Sequence, residues 1–258
     1  MADENIKVSK IEINDFFSTK NDISLEYPLN IIFECKVNKN NKPNFLSNGI
    51  YFILEKETNY VIYIGINLSK NPNYKNFVDE ERIKKHLQSF TMRGSKIGIS
   101  GKKKDWFSKC DKINEHLFSL KDKIPNKDTG TTSDKNRIYY ANIYWNKFKK
   151  DDNFTDILNN QFYAYYFKIN FFDNLMKEIF SKNLESKIAK KIFRKKIVNF
   201  FEEPLSEEFR PYIYQVKKSK KYPYSGKWNS KIFNLKDVKK SISILIKKHN
   251  IKPNDRPL

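Results

Sequence analysis

Apolar and polar residues follow two different periods along the chain, and each period predicts a type of element. Runs rich in β-branched and aromatic residues predict strands at 31–37, 49–54, 60–66, 137–145 and 162–169. Apolar residues at helical spacing predict helices at 77–90, 105–120, 172–198 and 235–249. The polar segment 55–59 joins two of the strands and predicts a hairpin turn. Together these elements predict an α/β (α+β) fold, a small mixed or antiparallel sheet flanked by helices.

The alternation within the strand at 60–66 predicts which of its side chains share a face. In a regular strand Val61 and Tyr63 point to one side, and Ile62 and Ile64 point to the other. The polar tip of Tyr63 then faces a cleft, while the two isoleucines pack into a core.

The charge of the chain favours a polyanionic partner. Its 50 Lys and Arg residues exceed its 30 Asp and Glu residues, which gives a formal net charge of +20. A surplus of this size predicts binding to nucleic acid or to an anionic membrane surface. Lysine outnumbers arginine 44 to 6, a usage that an AT-rich genome also produces. An ordinary solvated surface therefore remains the alternative interpretation for part of the charge.

Cysteine usage and the lack of targeting segments indicate an intracellular protein. Cys35 and Cys110 are too few for a disulfide framework or for a structural zinc site. The first residues do not resemble a signal peptide, and no apolar run reaches the length of a membrane span. We therefore expect a soluble cytoplasmic protein with no membrane partner.

Two tripeptides and one helical pair carry the strongest chemical signal. Gly49-Ile50-Tyr51 and Tyr63-Ile64-Gly65 lie in the two strands of the predicted hairpin. Arg82 and His86 stand four residues apart, which places both side chains on one face of the predicted helix. This set resembles the signature of the GIY-YIG nuclease superfamily, and the chain most resembles a type II restriction endonuclease of that superfamily.

The resemblance implies a division of the chain. It covers roughly residues 49–200, which would be the catalytic core, with an insertion around 92–160. Residues 1–48 would be an N-terminal extension, and residues 201–258 a basic C-terminal arm that contacts DNA.

The resemblance also implies a reaction and the residues that carry it. The reaction is the metal-dependent hydrolysis of phosphodiester bonds in double-stranded DNA. Tyr51 would act on the nucleophile side, and it needs nearby positive charge because a phenol has a pKa of about 10. Tyr63 would orient water or phosphate, and Arg82 would bind the scissile phosphate through its planar fork. His86 would relay a proton or contact the phosphate.

The resemblance implies one divalent ion per site, Mg²⁺ or Mn²⁺, held by a carboxylate on the late helix. Glu185 is the preferred ligand because Leu184 and Ile188 flank it, and Glu178, seven residues earlier, is the alternative. Asn199 resembles the late asparagine of the family on the phosphate side of the site. Asn229 is a weaker candidate.

Two further basic segments are expected to hold DNA through its phosphates, which gives affinity without sequence information. One contains glycines, and the other is interleaved with tyrosines. Their DNA-contacting residues are Arg93, Lys96, Lys102, Lys103, Lys104, Lys217, Lys218, Lys220 and Lys221. A solvated surface is the alternative for both segments.

Other functions remain open at the level of the sequence. The first is a non-catalytic nucleic-acid-binding protein that keeps the nuclease fold, and the second is a homing or repair nuclease of the same superfamily. A structural or membrane-surface protein is a third, although the terminal helix is too ordinary to support it. A homodimer is attractive because one site cuts one strand and a palindromic target has two-fold symmetry.

Overall fold

A computed structural model of the 258-residue chain shows a mixed fold. The structure describes residues 6–12, 17–19, 35–37, 48–68, 86, 140, 160–181, 195–213 and 230–249. Within these ranges the chain forms a four-stranded antiparallel sheet, a separate two-stranded sheet and several helices. This is an α+β arrangement, as the hydrophobic pattern predicts.

The strands and helices of the described ranges are defined as follows. The strands are β1 (Ile6–Glu12), β2 (Phe17–Thr19), β3 (Cys35–Val37), β4 (Gly49–Glu55), β5 (Val61–Asn67) and β6 (Phe162–Ile169). The helices are α1 (Asn170–Ser181), a π-helix (Val198–Glu202), α2 (Glu203–Phe209) and α3 (Leu235–Lys248). The larger sheet has the order β1-β6-β4-β5 with every neighbouring pair antiparallel, and β2 and β3 form the smaller sheet.

Four of the predicted elements are confirmed. β4 and β5 form the predicted hairpin, β6 covers the predicted strand at 162–169, and α3 covers the predicted terminal helix. α1 is the beginning of the helix predicted at 172–198, and β3 is the end of the strand predicted at 31–37. The helix predicted at 105–120 lies outside the described residues, as does the one at 77–90 except for His86, which is helical.

Three parts of the structure differ from the sequence predictions. β1 lies within the predicted N-terminal extension yet pairs with β6 along its whole length. The sequence of β1 shows no clear alternation of apolar and polar residues, because only Ile6 and Ile11 are buried. This is expected of an edge strand, which has one neighbouring strand. Tyr140 is helical, so the strand predicted at 137–145 is wrong at its one described position. α2 was not predicted; it continues directly from the π-helix, and Pro204 lies in its first turn.

The turn of the β4–β5 hairpin is held by a buried carboxylate. Glu55 is 1 % exposed and accepts hydrogen bonds from Thr58 Oγ1 at 2.6 Å and from Gln161 Nε2 at 2.7 Å. Asn59 adopts a positive φ of 58°, a conformation that asparagine tolerates better than most residues. Its Oδ1 accepts a hydrogen bond from Tyr163 Oη at 2.6 Å. These bonds tie the turn to β6 and fix the register of both strands.

A β-bulge in this hairpin changes which side chains share a face. The register shifts between Ile53, which lies opposite Tyr63, and Leu54, which lies opposite Val61. One extra residue of β5 is accommodated at this point. Val61 therefore joins Ile64 in the main hydrophobic cluster. The prediction that Val61 and Tyr63 share a face is wrong because it assumed unbroken alternation.

One face of the larger sheet, here called the helix-covered face, carries the main hydrophobic core. β4 contributes Ile50, Phe52 and Leu54 to it. The helices cover this face with Phe172, Leu175, Met176, Ile197, Phe201, Leu205, Phe209, Val238, Ile242 and Leu245. Full burial of an apolar side chain of this size stabilises a fold by about 1.5–3 kcal/mol, so this layer is the main source of stability. Part of the predicted C-terminal arm thus belongs to the core.

The opposite face, here called the tyrosine face, is also buried, and three neighbouring tyrosines lie on it. Alternation along β4 and β6 puts Tyr51 and Tyr166 on this face as a cross-strand pair, and Tyr63 joins them from β5. All three are buried, with exposed fractions of 0 %, 0 % and 4 %. Tyr140 packs over the end of this face, with its ring centroid 6.2 Å from that of Phe162.

No helix among the described residues has the length and apolarity needed to cross a bilayer.

Candidate active site

The tyrosine face depends on a glycine beneath the ring of Tyr51. Gly65 lies directly opposite Tyr51 in the antiparallel pair. A Cβ atom at Gly65 would overlap Cζ and Oη of the Tyr51 ring and would lie 2.8 Å from Cε1 of Tyr63. Only glycine leaves this space, so the ring of Tyr51 crosses β5 at the position of Gly65. The two tripeptides are therefore linked by packing as well as by strand pairing.

A second tyrosine uses the other glycine in the same way. A Cβ atom at Gly49 would lie 2.8 Å from Cε1 of Tyr166 and would overlap the carbonyl oxygen of Phe167. The ring of Tyr166 therefore runs from β6 across β4, and its hydroxyl reaches Asn67 Nδ2 on β5 at 3.3 Å. Asn67 is the residue that pairs with Gly49, so this path follows the register of the sheet.

The start of β4 is fixed by a polar clasp to α1. Asn48 is buried, and both its backbone N–H and its Nδ2 donate to Asp173 Oδ1 at 2.9 Å. The Asn48 carbonyl accepts from the backbone N–H of Ile169 at 3.1 Å. This clasp positions Gly49 where the ring of Tyr166 must pass.

His86 completes the group of polar side chains on this face. Its Nε2 lies 2.9 Å from Tyr51 Oη, in a hydrogen bond between residues 35 positions apart in the chain. Its ring packs on Tyr63 with 4.1 Å between centroids and a tilt of 36°. The rings of Tyr51 and Tyr63 are 5.9 Å apart. The structure therefore brings together three of the residues that the sequence predicts for the site.

The Tyr51–His86 hydrogen bond can move a proton. In the tautomer with Nε2 unprotonated, Tyr51 donates its O–H and His86 accepts, and in the other tautomer the roles are reversed. Tyr51 is fully buried, whereas His86 is half-buried. The imidazole is therefore the more exposed member of the pair.

The other predicted site residues are distributed as follows. Asn199 lies in the π-helix and is exposed, and among the described residues it makes no hydrogen bond with Tyr51, Tyr63 or His86. Glu178 lies on α1, but its side chain is outside the described part. The remaining predicted residues also lie outside it: Arg82, Glu185, Asn229, Arg93, Lys96, Lys102, Lys103, Lys104, Lys217, Lys218, Lys220 and Lys221.

Sequence reasoning missed Tyr166 and Asn67. The strand at 162–169 was predicted, but only the register shows that Tyr166 faces Tyr51 across the sheet. Asn67 could have been predicted from the sequence, because it stands two residues after Gly65 and strand alternation puts both residues on one face.

The described residues bear on the predicted metal site only in part. The described residues contain no group of three or more His, Cys, Asp or Glu side chains that could hold a metal ion. Because the predicted ligand Glu185 is outside these ranges, the divalent ion stays a prediction.

Comparison of the chain with protein-family models, with curated proteins and with solved structures finds no match. The residues of the tyrosine face and the two tripeptides therefore carry the inference of function.

Proposed function

We propose that the protein is a metal-dependent endonuclease of the GIY-YIG type that hydrolyses phosphodiester bonds in double-stranded DNA. Its nearest functional class would be a sequence-specific type II restriction enzyme. The observation that carries this proposal is the hydrogen bond between Tyr51 and His86, with Tyr63 packed on the imidazole. The motif pattern nominated these three residues from separate parts of the chain, and their side chains meet on one face of the sheet.

The Tyr51–His86 pair would relay a proton from the attacking water once that water reaches the buried Tyr51 hydroxyl. In the proposed step, water forms a bond to phosphorus and gives a proton to Tyr51 Oη as the phenol proton passes to His86 Nε2. The bond from phosphorus to the 3′ oxygen breaks, and the leaving oxygen takes a proton from solvent. The imidazole is needed because a phenol is protonated at neutral pH and can accept a proton from water only as it gives its own proton to a base.

The remaining parts of the proposal rest on the sequence resemblance. Arg82 would stabilise charge on the phosphate, and Glu185 would hold one Mg²⁺ or Mn²⁺ ion that polarises it. The net charge of +20 supports a polyanionic substrate. A homodimer would present two such sites to a two-fold symmetric target.

One observation favours a second candidate, a nucleic-acid-binding protein without catalytic activity. Tyr51 is 0 % exposed, so its hydroxyl meets neither solvent nor substrate in this conformation. A tyrosine used only to pack against Gly65 and to bond His86 would also be buried in this way. The two candidates predict the same binding to DNA and differ in cleavage.

The test is incubation of the purified protein with plasmid and phage DNA in Mg²⁺, in Mn²⁺ and in EDTA. Tyr51→Phe removes the relay hydroxyl, and Glu185→Ala removes the proposed metal ligand. Discrete fragments that need the metal and disappear in both variants support the nuclease. Loss of cleavage in Tyr51→Phe but not in Glu185→Ala would mean that Glu178 or another residue is the metal ligand. Binding without cleavage by the wild type in either metal would favour the second candidate.

A further inference from the structure

The hydroxyl groups of two tyrosine side chains lie over the same strand, β5. Tyr51 crosses from β4 to β5 over Gly65, and Tyr166 crosses from β6 over Gly49 to Asn67. Residues 65 and 67 are two positions apart in β5, which puts them on one face about 7 Å apart. The Asn67–Tyr166 pair is therefore the immediate neighbour of the Tyr51–His86 pair.

Asn67 differs from its partner in exposure. Tyr166 is 0 % exposed, whereas Asn67 is half-buried and stands at the last position of β5. Its amide nitrogen carries two N–H groups, and the Tyr166 hydroxyl accepts only one of them. The hydrogen bond from Asn67 to Tyr166 thus fixes the orientation of a side chain whose second N–H and carbonyl oxygen make no other hydrogen bond to the described residues.

An amide N–H is a common contact for a phosphate oxygen, because it donates without requiring a charge. We propose that Asn67 binds a backbone phosphate of the nucleic acid next to the one at the Tyr51–His86 pair, and that Tyr166 is the positioning residue that holds the Asn67 amide. This inference rests on the proposed function, because it takes DNA as the ligand. It adds a residue that determines where the strand lies relative to the relay.

The experiment compares Asn67→Asp and Tyr166→Phe with the wild type. Asn67→Asp keeps the shape of the side chain but places a negative charge opposite the phosphate. Its control is Asn234→Asp, the same chemical change at the N-cap of α3, where Asn234 accepts from the backbone N–H groups of Lys236 and Asp237. Aspartate caps a helix as well as asparagine does, so the control changes net charge without changing the fold.

Two quantities are measured at one ionic strength. The first is kcat and KM for cleavage of phage DNA in Mg²⁺, and the second is the Kd for a short mixed-sequence duplex in EDTA. We expect Asn67→Asp to raise KM and Kd by about tenfold or more relative to Asn234→Asp, with kcat changed less. Tyr166→Phe keeps the ring over Gly49 and should raise KM about two- to fivefold through the loosened amide. A purely structural Tyr166 would lower Tm and leave KM unchanged.

The outcomes separate this inference from the proposed function. If the wild type cleaves DNA and Asn67→Asp behaves like Asn234→Asp, the Asn67 contact is overturned and the nuclease stands. If the wild type binds DNA without cutting it and Asn67→Asp weakens that binding, the phosphate contact is supported and the nuclease is overturned. A wild type that neither binds nor cuts DNA overturns both.

Discussion

The two faces of the larger sheet are equally buried but chemically different. Along β4, all seven residues are buried, so exposure does not distinguish one face from the other. The side that packs on the helices carries Ile50, Phe52 and Leu54, which have no polar atoms beyond the main chain. The other side carries Tyr51, whose hydroxyl must find a hydrogen-bond partner when buried. That requirement, met by His86, is what makes the tyrosine face a candidate site.

The comparison teaches that burial and function are separate properties of a sheet. The helix-covered face mainly contributes stability, because most of its apolar side chains could be replaced by other well-packed apolar ones. The tyrosine face depends on specific residues. Positions 49 and 65 must be glycine, because a side chain at either one would overlap the tyrosine ring that lies across it. Substitutions should therefore act mainly on unfolding at one face and mainly on chemistry at the other.

The largest effect is expected from removing one oxygen atom on the tyrosine face. Tyr51→Phe keeps the ring over Gly65 but removes the hydroxyl that bonds His86. General acid–base catalysis contributes typically about 10²–10⁴-fold, so we expect kcat for DNA cleavage to fall by about that factor. The loss of one hydrogen bond should cost only about 1 kcal/mol of unfolding free energy. Initial rates on phage DNA and urea unfolding measure the two effects.

The matched control is the same change on the helix-covered face. Burial raises the pKa of Tyr163 to about 12, with smaller contributions from Tyr165 and Glu12. Its hydroxyl therefore stays protonated and donates to Asn59 in the hairpin turn. Tyr163→Phe should cost a similar amount of stability, about 1 kcal/mol, and leave kcat within about twofold of the wild type. Equal losses of activity in both variants would mean that the hydroxyl of Tyr51 serves the fold rather than catalysis.

The next effect is a loss of stability from the helix-covered face. Phe52 is 0 % exposed, and its ring makes edge contacts with Phe167, Phe209 and Phe233 at centroid distances of 5.6–5.7 Å. Phe52→Ala should lower the unfolding free energy by about 3–5 kcal/mol, because it removes buried area and leaves a cavity. Denaturant unfolding measures this. A loss below about 1 kcal/mol would show that the helices do not pack on the sheet as described.

A smaller change is expected where the two glycines make room for the tyrosines. A methyl group in Gly65→Ala overlaps the ring of Tyr51 and should cost about 1–3 kcal/mol by overpacking. The displaced hydroxyl should also lose its bond to His86, so cleavage should fall with it. In a Tyr51→Ala background the ring is absent, and Gly65→Ala should cost less than in the wild type. Additive costs in this double-mutant cycle would contradict the packing of Tyr51 over Gly65.

Much of the sheet could be predicted from local patterns, and the rest depended on long-range pairing. β4, β5 and β6 are recognisable because β-branched and aromatic residues fill them. β1 was missed because Ile6 and Ile11 are its only buried residues, and the face of Val61 was wrong because no local signal marks the bulge. In the site, the tripeptides identified Tyr51 and Tyr63. Tyr166 was missed because its partner is set by the register between β4 and β6.

The smallest effect concerns the second described histidine, which packs on the helical layer rather than on the tyrosine face. His249 stacks on Phe200 with 4.4 Å between centroids, much as His86 packs on Tyr63. Burial, and then the charge of Lys248, lower the pKa of His249 below its ordinary value. Since the folded-state pKa lies below the unfolded one, protonation favours unfolding. The stability that His249 contributes is therefore present above about pH 6.5 and is lost as the pH falls through the folded-state pKa.

Thermal unfolding measured at a series of pH values from 7.5 down to 5.5 tests this contribution. This interval lies above the range in which most carboxylates titrate. His249→Gln should reduce the fall in Tm over that range by about 1–2 °C, a small effect because part of the ring stays in water. An unchanged slope in His249→Gln would mean that other groups carry the acid sensitivity. A steeper slope would contradict the direction of the pKa shift, because it would require that protonated His249 stabilises the stack on Phe200.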